Sequence, residues 1–190
     1  MKFNRVSYLL PLSIFLVLGI LLWKGLNLHP HDLPSAMLGK KVPKFEVSTV
    51  EDPAKHVTES IFNNHVSVVN VWATWCIGCK NEHEFWLDLA KAQKKLKAKN
   101  RLQLIGINYH DTLHDAAHWL EKGGDPYIFT LFDKDGRLGM DFGVYGTPET
   151  FIVDQKGVIQ YRHVGIITEA IWEHKLVPII EGIKRGKSAY

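Results

Sequence analysis

The feature that most limits how this chain can fold is an apolar strand followed closely by two cysteines. Residues 66–72 (VSVVNVW) are mostly apolar and β-branched, which is typical of a strand covered on both faces of a sheet. Cys76 and Cys79 follow after a short turn, and from there the spacing is helical up to residue 99. The apolar stripe of this predicted helix consists of Phe85, Trp86, Leu89 and Leu96. The sequence thus predicts that both sulfurs lie where a buried strand turns into a helix.

The rest of the chain alternates between strand and helix patterns. Predicted strands cover residues 45–50, 102–108, 127–132, 150–153 and 158–163, and predicted helices cover residues 112–122, 138–142 and 168–184. A four-residue loop joins the last two strands, so we expect them to form an antiparallel hairpin. Parallel strands joined by helices and followed by a hairpin predict an α/β sandwich, in which helices flank a central mixed sheet.

The two cysteines are predicted to form a redox pair. A cysteine in the first turn of a helix faces unpaired N–H groups and the positive end of the helix dipole, and both favour the thiolate. Cys76 is therefore the expected nucleophile, facing outward. Cys79, one turn deeper and hidden from partners, is expected to resolve the mixed disulfide by attacking Cys76. Half of a zinc site is the alternative, but it needs two further ligands, and the sequence holds no second Cys-x-x-Cys.

Glu82 puts a carboxyl group on the predicted buried face of the same helix. It leads the apolar stripe and lies one turn beyond Cys79. A carboxyl whose pKa is raised by burial could take up the proton that Cys79 must lose before it attacks. A solvated position at the rim of the stripe, or a capping role at the start of the helix, is the alternative.

The N-terminal segment has the composition of a membrane anchor. Residues 6–23 are uncharged and mostly apolar, and they follow Lys2 and Arg5. At about 1.5 Å per residue this run spans roughly 27 Å, close to the hydrocarbon thickness of a bilayer. We expect a transmembrane anchor over residues 6–25, with the rest of the chain beyond the membrane; a cleaved signal peptide is the alternative. The predicted organisation is a cytoplasmic tail (1–5), the anchor, a tether (26–42), a folded domain (43–185) and a tail (186–190).

Charge and cysteine content exclude two classes of protein. Three of the 23 Lys and Arg residues precede residue 25, where there is no acid, so the remainder carries 20 bases against 20 acids. A neutral body lacks the electrostatic footprint of a protein that binds the phosphate backbone of nucleic acids. Two cysteines in 190 residues also exclude a small fold held together by several disulfides.

Three histidines offer a competing interpretation. His110, His114 and His118 recur at four-residue intervals across the predicted second helix and its entry. Two histidines four residues apart on one helical face can share a metal ion. We predict no metal site, because an exposed helix can carry histidines that bind nothing. A copper- or zinc-binding protein that uses the cysteines and a histidine remains an alternative.

Several stretches of the sequence resemble one known family. The segment NVWATWCIGC is similar to the active-site strand and turn of thioredoxin-like proteins, and Gly146-Thr147-Pro148 is similar to their cis-proline loop. Together with GINYHD, LFDKDGRLGMDFGVYGTPETF and YRHVG, these stretches closely resemble the membrane-anchored thiol:disulfide interchange proteins of cytochrome c maturation, the DsbE/CcmG type. The resemblance covers roughly residues 40–180 and implies a thioredoxin-like sandwich.

What the resemblance implies is a periplasmic reductant, held at the bacterial inner membrane by its single-pass anchor. Such proteins keep the haem-attachment cysteines of apocytochrome c reduced, and a DsbD-type transmembrane electron donor recharges them. Other cytochrome c maturation proteins are implied as partners, and no cofactor is implied beyond the Cys76–Cys79 couple. A DsbA-like thiol oxidase carries the same motif and is a second alternative.

The resemblance also assigns roles to individual residues. Cys76 attacks and Cys79 resolves, while a cis peptide bond is implied before Pro148. The residues implied to contact the bound partner are Trp75, Thr147, Pro148 and Glu149. For Glu149, a solvated carboxylate at a strand edge is the alternative.

One position departs from cytosolic thioredoxins. Their buried aspartate, which serves the deeper cysteine, corresponds to Asn70 in this chain. An amide cannot exchange a proton at neutral pH, so a carboxyl from elsewhere must do so if any does. This departure strengthens the expectation that Glu82 serves Cys79.

Overall fold

The computed structural model describes residues 6–26 and 37–189, which belong to two separate compact units. The first unit is a single helix, α1 (Val6–Leu26), with Pro11 in its second turn. Within the described ranges, no helix has the combination of length and hydropathy needed to cross a membrane. The predicted cytoplasmic tail and residues 27–36 of the predicted tether lie outside the described residues.

The second unit contains seven strands and a set of helices among its described residues. The strands are β1 (Glu46–Ser48), β2 (His56–Thr58), β3 (Ser67–Trp72), β4 (Gln103–Tyr109), β5 (Phe129–Asp133), β6 (Glu149–Val153) and β7 (Ile159–Val164). The helices are α2 (Ile77–Lys95), α3 (Leu113–Gly123), α4 (Arg137–Phe142), α5 (Glu169–Ile171) and α6 (Val177–Lys184), with a π-helical turn (Trp172–Leu176) between the last two. Short 3-10 turns occupy Glu59–Phe62 and Ala98–Asn100.

A five-stranded mixed sheet forms the centre of this unit, as predicted. Its strand order is β5-β4-β3-β6-β7, and β1 pairs with β2 in a separate two-stranded sheet. Strands β3, β4 and β5 run parallel, whereas β6 is antiparallel to both β3 and β7. Every residue of β3 is buried, because this strand has neighbours on both edges and is covered on both faces.

The period of two along β3 divides the core between the two faces of the sheet. Val69 and Val71 face one layer, which is closed by the aromatic rings of Phe62 and Phe142. Val68 faces the opposite layer, where α2 contributes Trp86. Helix α2 therefore covers the face of the sheet towards which Asn70 also points. Because only a short turn separates β3 from α2, the helix begins beside the end of that strand.

The predicted second helix and the hairpin are confirmed, but the first long helix is shorter than predicted. It ends at Lys95 rather than at residue 99, and Leu96 adopts an extended backbone as its C-cap and is 42% exposed. The side chain of Arg101 donates hydrogen bonds to the carbonyls of Lys94 and Leu96, which satisfies acceptors left open at the end of the helix. Leu96 is therefore not part of the buried stripe.

The folded unit also begins earlier than the predicted boundary at residue 43. Gly39 N–H donates to the carbonyl of Ile159, and Val42 N–H donates to that of Gly157, so this segment pairs with the loop before β7 and the start of that strand. Val42 is buried in the core. Residues 37–42, which the sequence assigned to the tether, lack a periodic pattern because they form backbone contacts rather than a regular element.

The last helix is interrupted where the sequence predicts one continuous helix. The π-helical turn inserts an extra residue into the ladder ahead of Pro178, which has no N–H to donate to the preceding turn. The turn leaves Trp172 and Leu176 buried against the sheet. The short strand β2 and the 3-10 turn after it were not predicted.

Candidate functional site

A disulfide between Cys76 and Cys79 lies where β3 gives way to α2. Cys76 is the N-cap residue of the helix, and its sulfur accepts a hydrogen bond of 3.0 Å from the backbone N–H of Cys79. This is the arrangement predicted for a sulfur stabilised by unpaired N–H groups. In the disulfide-bonded state the two residues are 4% and 2% exposed, so the outward position expected for Cys76 is not seen.

Asp111 holds the turn that carries the cysteines. Its carboxylate accepts hydrogen bonds from the backbone N–H of Thr74 at 2.6 Å and from the hydroxyl of Thr74 at 2.8 Å. The indole N–H of Trp75 donates to the carbonyl of His110 at 2.9 Å, while the side chain of Trp75 stays largely exposed. The end of β4 therefore fixes the turn after β3, and sequence analysis missed the role of Asp111.

The cis-proline loop lies against the start of α2, as the resemblance implied. The Thr147–Pro148 bond is cis, and the carbonyl of Pro148 accepts a hydrogen bond from Gly165. A Cβ placed on Gly78 would lie 2.9 Å from Cδ of Pro148, closer than ordinary contact. The proline ring can approach this closely only because position 78 is a glycine.

Glu149 is completely buried, so the solvated alternative for this residue is wrong. Its carboxylate forms a two-pronged ion pair with Arg162, with both N–O distances at 2.8 Å. One oxygen also accepts hydrogen bonds from the backbone N–H groups of Tyr145 and Gly146. Glu149 thus ties the loop before Pro148 to strand β7, and Arg162 is a site residue that sequence analysis did not find.

Glu82 is also buried, at 1% exposure, on the face of α2 where the stripe placed it. Oε1 accepts hydrogen bonds from the amide of Asn70 at 2.8 Å and from the indole of Trp86 at 3.0 Å. Oε2 accepts one from the backbone N–H of Ile167 at 2.7 Å. The solvated and capping alternatives for Glu82 are therefore wrong.

Burial controls the acidity of this carboxyl. Loss of solvent raises the pKa of Glu82 above its ordinary value, and the three hydrogen bonds offset only part of the increase. A carboxyl with a raised pKa is able to bind and release a proton closer to neutral pH. The direction of this shift is the one that the predicted proton transfer requires of the carboxyl one turn beyond Cys79.

Apolar side chains are exposed around the disulfide. Ile77 follows Cys76 directly and is 76% exposed, and Ile166 lies close to Gly78. Tyr145 is 79% exposed, and the guanidinium of Arg162 lies over its ring at 4.7 Å. This uncovered apolar surface is suited to contact with a peptide chain.

The three histidines do not share one helical face. His110 has a φ of 49° and precedes α3, whereas His114 and His118 are on the helix with ring centroids 6.1 Å apart. His114 and His118 are both exposed, and His114 contacts Asp115. Among the residues described, no group of three or more His, Cys, Asp or Glu side chains is arranged to hold a metal ion.

The chain is similar to one protein family and to curated proteins that exchange thiols and disulfides. The Redoxin family model matches residues 37–176. A thiol:disulfide interchange protein DsbE from Pseudomonas aeruginosa is 40% identical over 178 residues, covering 94% of each chain. The DsbE of Escherichia coli K12 is also 40% identical, over 184 residues that cover 94% of this chain and 95% of that one.

A solved structure agrees with the sequence comparisons. A DsbE-type thiol:disulfide interchange protein from Chlorobium tepidum superimposes with a TM-score of 0.64 and 27% identity, covering 77% of this chain and 97% of that one. The predicted thioredoxin-like fold, with a mixed sheet flanked by helices, is thereby confirmed.

Proposed function

Because the chain belongs to the redoxin family and to its DsbE group of thiol:disulfide interchange proteins, and is a thiol–disulfide oxidoreductase, we propose that it acts as a periplasmic reductant in cytochrome c maturation. Its proposed substrate is a disulfide between the haem-attachment cysteines of apocytochrome c. Its proposed electron source is a DsbD-type transmembrane donor, and further cytochrome c maturation proteins are its proposed partners.

The observation that carries the proposal is the position of the disulfide at the start of α2, with a buried carboxyl one turn behind it. The helix N-terminus stabilises a thiolate on Cys76 once the disulfide is reduced. Burial raises the pKa of Glu82, which lies one turn beyond Cys79, and we assign it as the acceptor of the proton of Cys79. These two features give the two sulfurs different tasks.

The proposed reaction proceeds in two exchanges. The thiolate of Cys76 attacks one sulfur of the substrate disulfide, which forms a mixed disulfide and releases the first substrate thiolate. Cys79 then passes its proton to Glu82 and attacks Cys76, which closes the Cys76–Cys79 bond and releases the second substrate thiolate. Both electrons come from the dithiol, so no other cofactor is needed. A donor dithiol reduces the pair again.

Partner binding is proposed to use the loop and the exposed surface around the disulfide. The backbone of Thr147 is proposed to pair with an extended segment of the partner, beside Pro148. Trp75 offers an exposed indole ring to the same segment. Glu149 supports this surface through its hydrogen bonds to the loop and does not contact the partner itself, because it is buried.

We also propose that residues 6–25 attach the chain to the bacterial inner membrane, with residues 43–185 in the periplasm. The support is the uncharged segment 6–23 preceded by Lys2 and Arg5. Protease added to spheroplasts should digest the redox domain while the inner membrane stays intact. A protected domain, or a chain recovered in the soluble fraction, would contradict this part of the proposal.

Trapping tests the proposed substrate. The full chain with Cys79→Ser, after reduction, should form a stable mixed disulfide through Cys76 with an oxidised Cys-x-x-Cys-His peptide. The matched Cys76→Ser chain should form none, because the N-cap position that favours the thiolate belongs to Cys76 and not to Cys79. Capture of an unrelated disulfide peptide with equal yield would contradict the proposed substrate.

The redox equilibrium separates a reductant from an oxidase. At equilibrium with a glutathione buffer, a reductant has the more negative reduction potential, so its cysteine pair is still a disulfide at buffer potentials at which a DsbA-like pair is already a dithiol. We expect this chain to keep its disulfide at such potentials. Counting the free thiols of the full chain after equilibration measures this. The opposite behaviour would favour the oxidase alternative.

A further inference from the structure

A buried chain of hydrogen bonds continues beyond Glu82 and ends at a tyrosine that the proposed mechanism does not use. The hydroxyl of Tyr127 donates to Oδ1 of Asn70 at 2.6 Å. Nδ2 of the same Asn70 donates to Oε1 of Glu82 at 2.8 Å. Through these two hydrogen bonds, the amide of Asn70 links the hydroxyl of Tyr127 to the carboxyl of Glu82.

The position of Tyr127 is fixed by its surroundings. Its ring is stacked parallel to that of Trp72, with centroids 6.2 Å apart, and its backbone N–H donates to Asp125 at 2.8 Å. Gly106 lies below the ring: a Cβ on this residue would be 3.0 Å from Cδ2 of Tyr127 and 2.8 Å from the indole nitrogen of Trp72. The absence of a side chain at Gly106 leaves the room that the two rings occupy.

The side-chain amide of Asn70 has one end that accepts hydrogen bonds and one that donates them, and this determines which end faces Tyr127 and which faces Glu82. Asn70 presents an acceptor oxygen at one end and a donor NH₂ at the other. Burial, together with the charge of Glu82, raises the pKa of Tyr127 well above its ordinary value, so the hydroxyl keeps its proton and donates. A donor placed at Oδ1 holds the NH₂ group of Asn70 towards Glu82.

We propose that Tyr127 is a positioning residue: through Asn70 it holds a hydrogen-bond donor against Glu82 and so sets the acidity of the carboxyl that serves Cys79. This inference rests on the proposed role of Glu82 in thiol exchange. The side chain of Tyr127 acts only through the amide, so it is not a catalytic residue.

Removal of the hydroxyl should change the acidity of Glu82 in one direction. In a Tyr127→Phe chain nothing holds Oδ1 of Asn70, which becomes a buried acceptor without its donor. A rotation of the Asn70 side-chain amide by about 180° then becomes favourable, because Oδ1 can accept a hydrogen bond from protonated Glu82. The protonated form is stabilised, and the pKa of Glu82 rises.

The test measures the titration of Glu82 directly. The full chain is labelled with ¹³C-glutamate and kept oxidised, so that the cysteines do not titrate, and the carboxyl band of Glu82 is identified by its loss in Glu82→Gln. Tyr127→Phe should increase the proton affinity of Glu82 about tenfold, a shift of about one pH unit. Tyr109→Phe, a matched change in the other core layer, should leave the midpoint unchanged.

The label also separates Glu82 from the titratable groups near it. Those groups are Cys79 on its own helix, Tyr127, and Asp125 beside Tyr127. Burial raises the pKa of Asp125, so it would overlap Glu82 in an unlabelled titration. Aspartate carries no label, and the cysteines are held in the disulfide, which leaves Glu82 as the measured group.

A double-variant cycle tests whether the effect passes through the amide. In an Asn70→Ala background, Tyr127→Phe should no longer move the midpoint of Glu82. An unchanged midpoint in the single variant, a downward shift, or a shift that persists without Asn70 would overturn the inference. If Tyr127→Phe does not fold, the wild-type chain still decides: the ring resonances of Tyr127 must shift together with the NH₂ resonances of Asn70 as Glu82 titrates, and ring resonances that do not respond would overturn the inference.

Failure of the proposed function is a separate outcome. A Glu82→Gln chain that exchanges thiols at the wild-type rate would show that Glu82 is not needed in exchange. The titration of Glu82 in the oxidised chain does not depend on that result. The positioning of Glu82 by Tyr127 and the use of Glu82 in exchange are thus tested independently.

Discussion

At the scale of single residues, two buried carboxylates near the disulfide have different surroundings. Glu149 faces the guanidinium of Arg162, whereas Glu82 accepts hydrogen bonds from uncharged groups only. A buried charge that has an opposite charge beside it stays ionised, while one without such a partner gains from binding a proton. Glu149 is therefore suited to hold a loop, and Glu82 to exchange a proton.

The buried ion pair should matter far more for stability than an exposed one. Glu149→Gln leaves the guanidinium of Arg162 buried without its counter-charge, and we expect it to lower the free energy of unfolding by about 3–5 kcal/mol. Glu181→Gln, which removes an exposed pair with Arg185, is the matched control and should cost about 1 kcal/mol or less. Urea unfolding of the full chains measures both, and equal losses would contradict the assignment.

Sequence patterns identify some site residues and miss others for physical reasons. Glu82 could be found because it shares a helical stripe with its apolar neighbours, and helix spacing is local. Arg162 could not, because its contact with Glu149 depends on the pairing of β6 with β7 and on which face of the hairpin is covered. Tyr127 is 57 residues from Asn70 in the chain, and no local pattern connects them.

At the scale of elements, the site depends on how closely the proline loop approaches helix α2. Gly78 lies in the first turn of α2, where any side chain would meet the ring of Pro148. The same close approach brings Ile166 next to the helix, since its Cγ1 would lie 3.4 Å from a Cβ on Gly78. The space between the helix and the loop is thus set by one missing side chain.

A single methyl group at this contact should impair exchange. Gly78→Ala must displace Pro148 or the start of α2, and a misplacement of this size should slow the reduction of a disulfide peptide about ten- to hundredfold. Gly182→Ala in α6 places its Cβ 3.9 Å from the nearest neighbour, an ordinary contact, and is the matched control. Exchange by Gly78→Ala at the rate of that control would show that the loop tolerates the displacement.

Regular elements were predictable where one pattern dominates. Strand β3 and the hairpin of β6 and β7 follow from apolar runs and a short loop. The end of α2 was not predictable, because hydrogen bonds from the side chain of Arg101 to the carbonyls of Lys94 and Leu96 stabilise it, and helical spacing does not encode those bonds. The π-helical turn before Pro178 depends on burying Trp172 and Leu176 against the sheet, and a uniform helical period does not contain that information.

At the scale of the whole molecule, the acidity of Glu82 links stability to pH. Its pKa is raised above the ordinary value of 4.5, so the folded chain binds more protons than the unfolded chain between 4.5 and the raised value. The contribution of Glu82 is fully present below pH 4.5 and is lost as the pH rises through the folded pKa. Asp125 and Asp133, whose pKa values burial also raises, add slopes of the same sign.

Glu82→Gln should remove this part of the pH dependence. The free energy of unfolding of the wild-type chain, relative to that of Glu82→Gln, should fall as the pH rises above 4.5, by at most about 1.4 kcal/mol per pH unit. Urea unfolding of both oxidised chains across this range gives the difference. A difference that does not change with pH would mean that the carboxyl has its ordinary acidity.

The central claim is that the fold gives the two sulfurs of one motif different reactivity, and the alkylation of the reduced full chain by iodoacetamide tests it most directly. At pH 7, mapping by mass spectrometry should show that Cys76 is modified at least about ten times faster than Cys79, because the helix N-terminus favours the thiolate of Cys76 alone. Equal and slow modification of both residues would contradict the account.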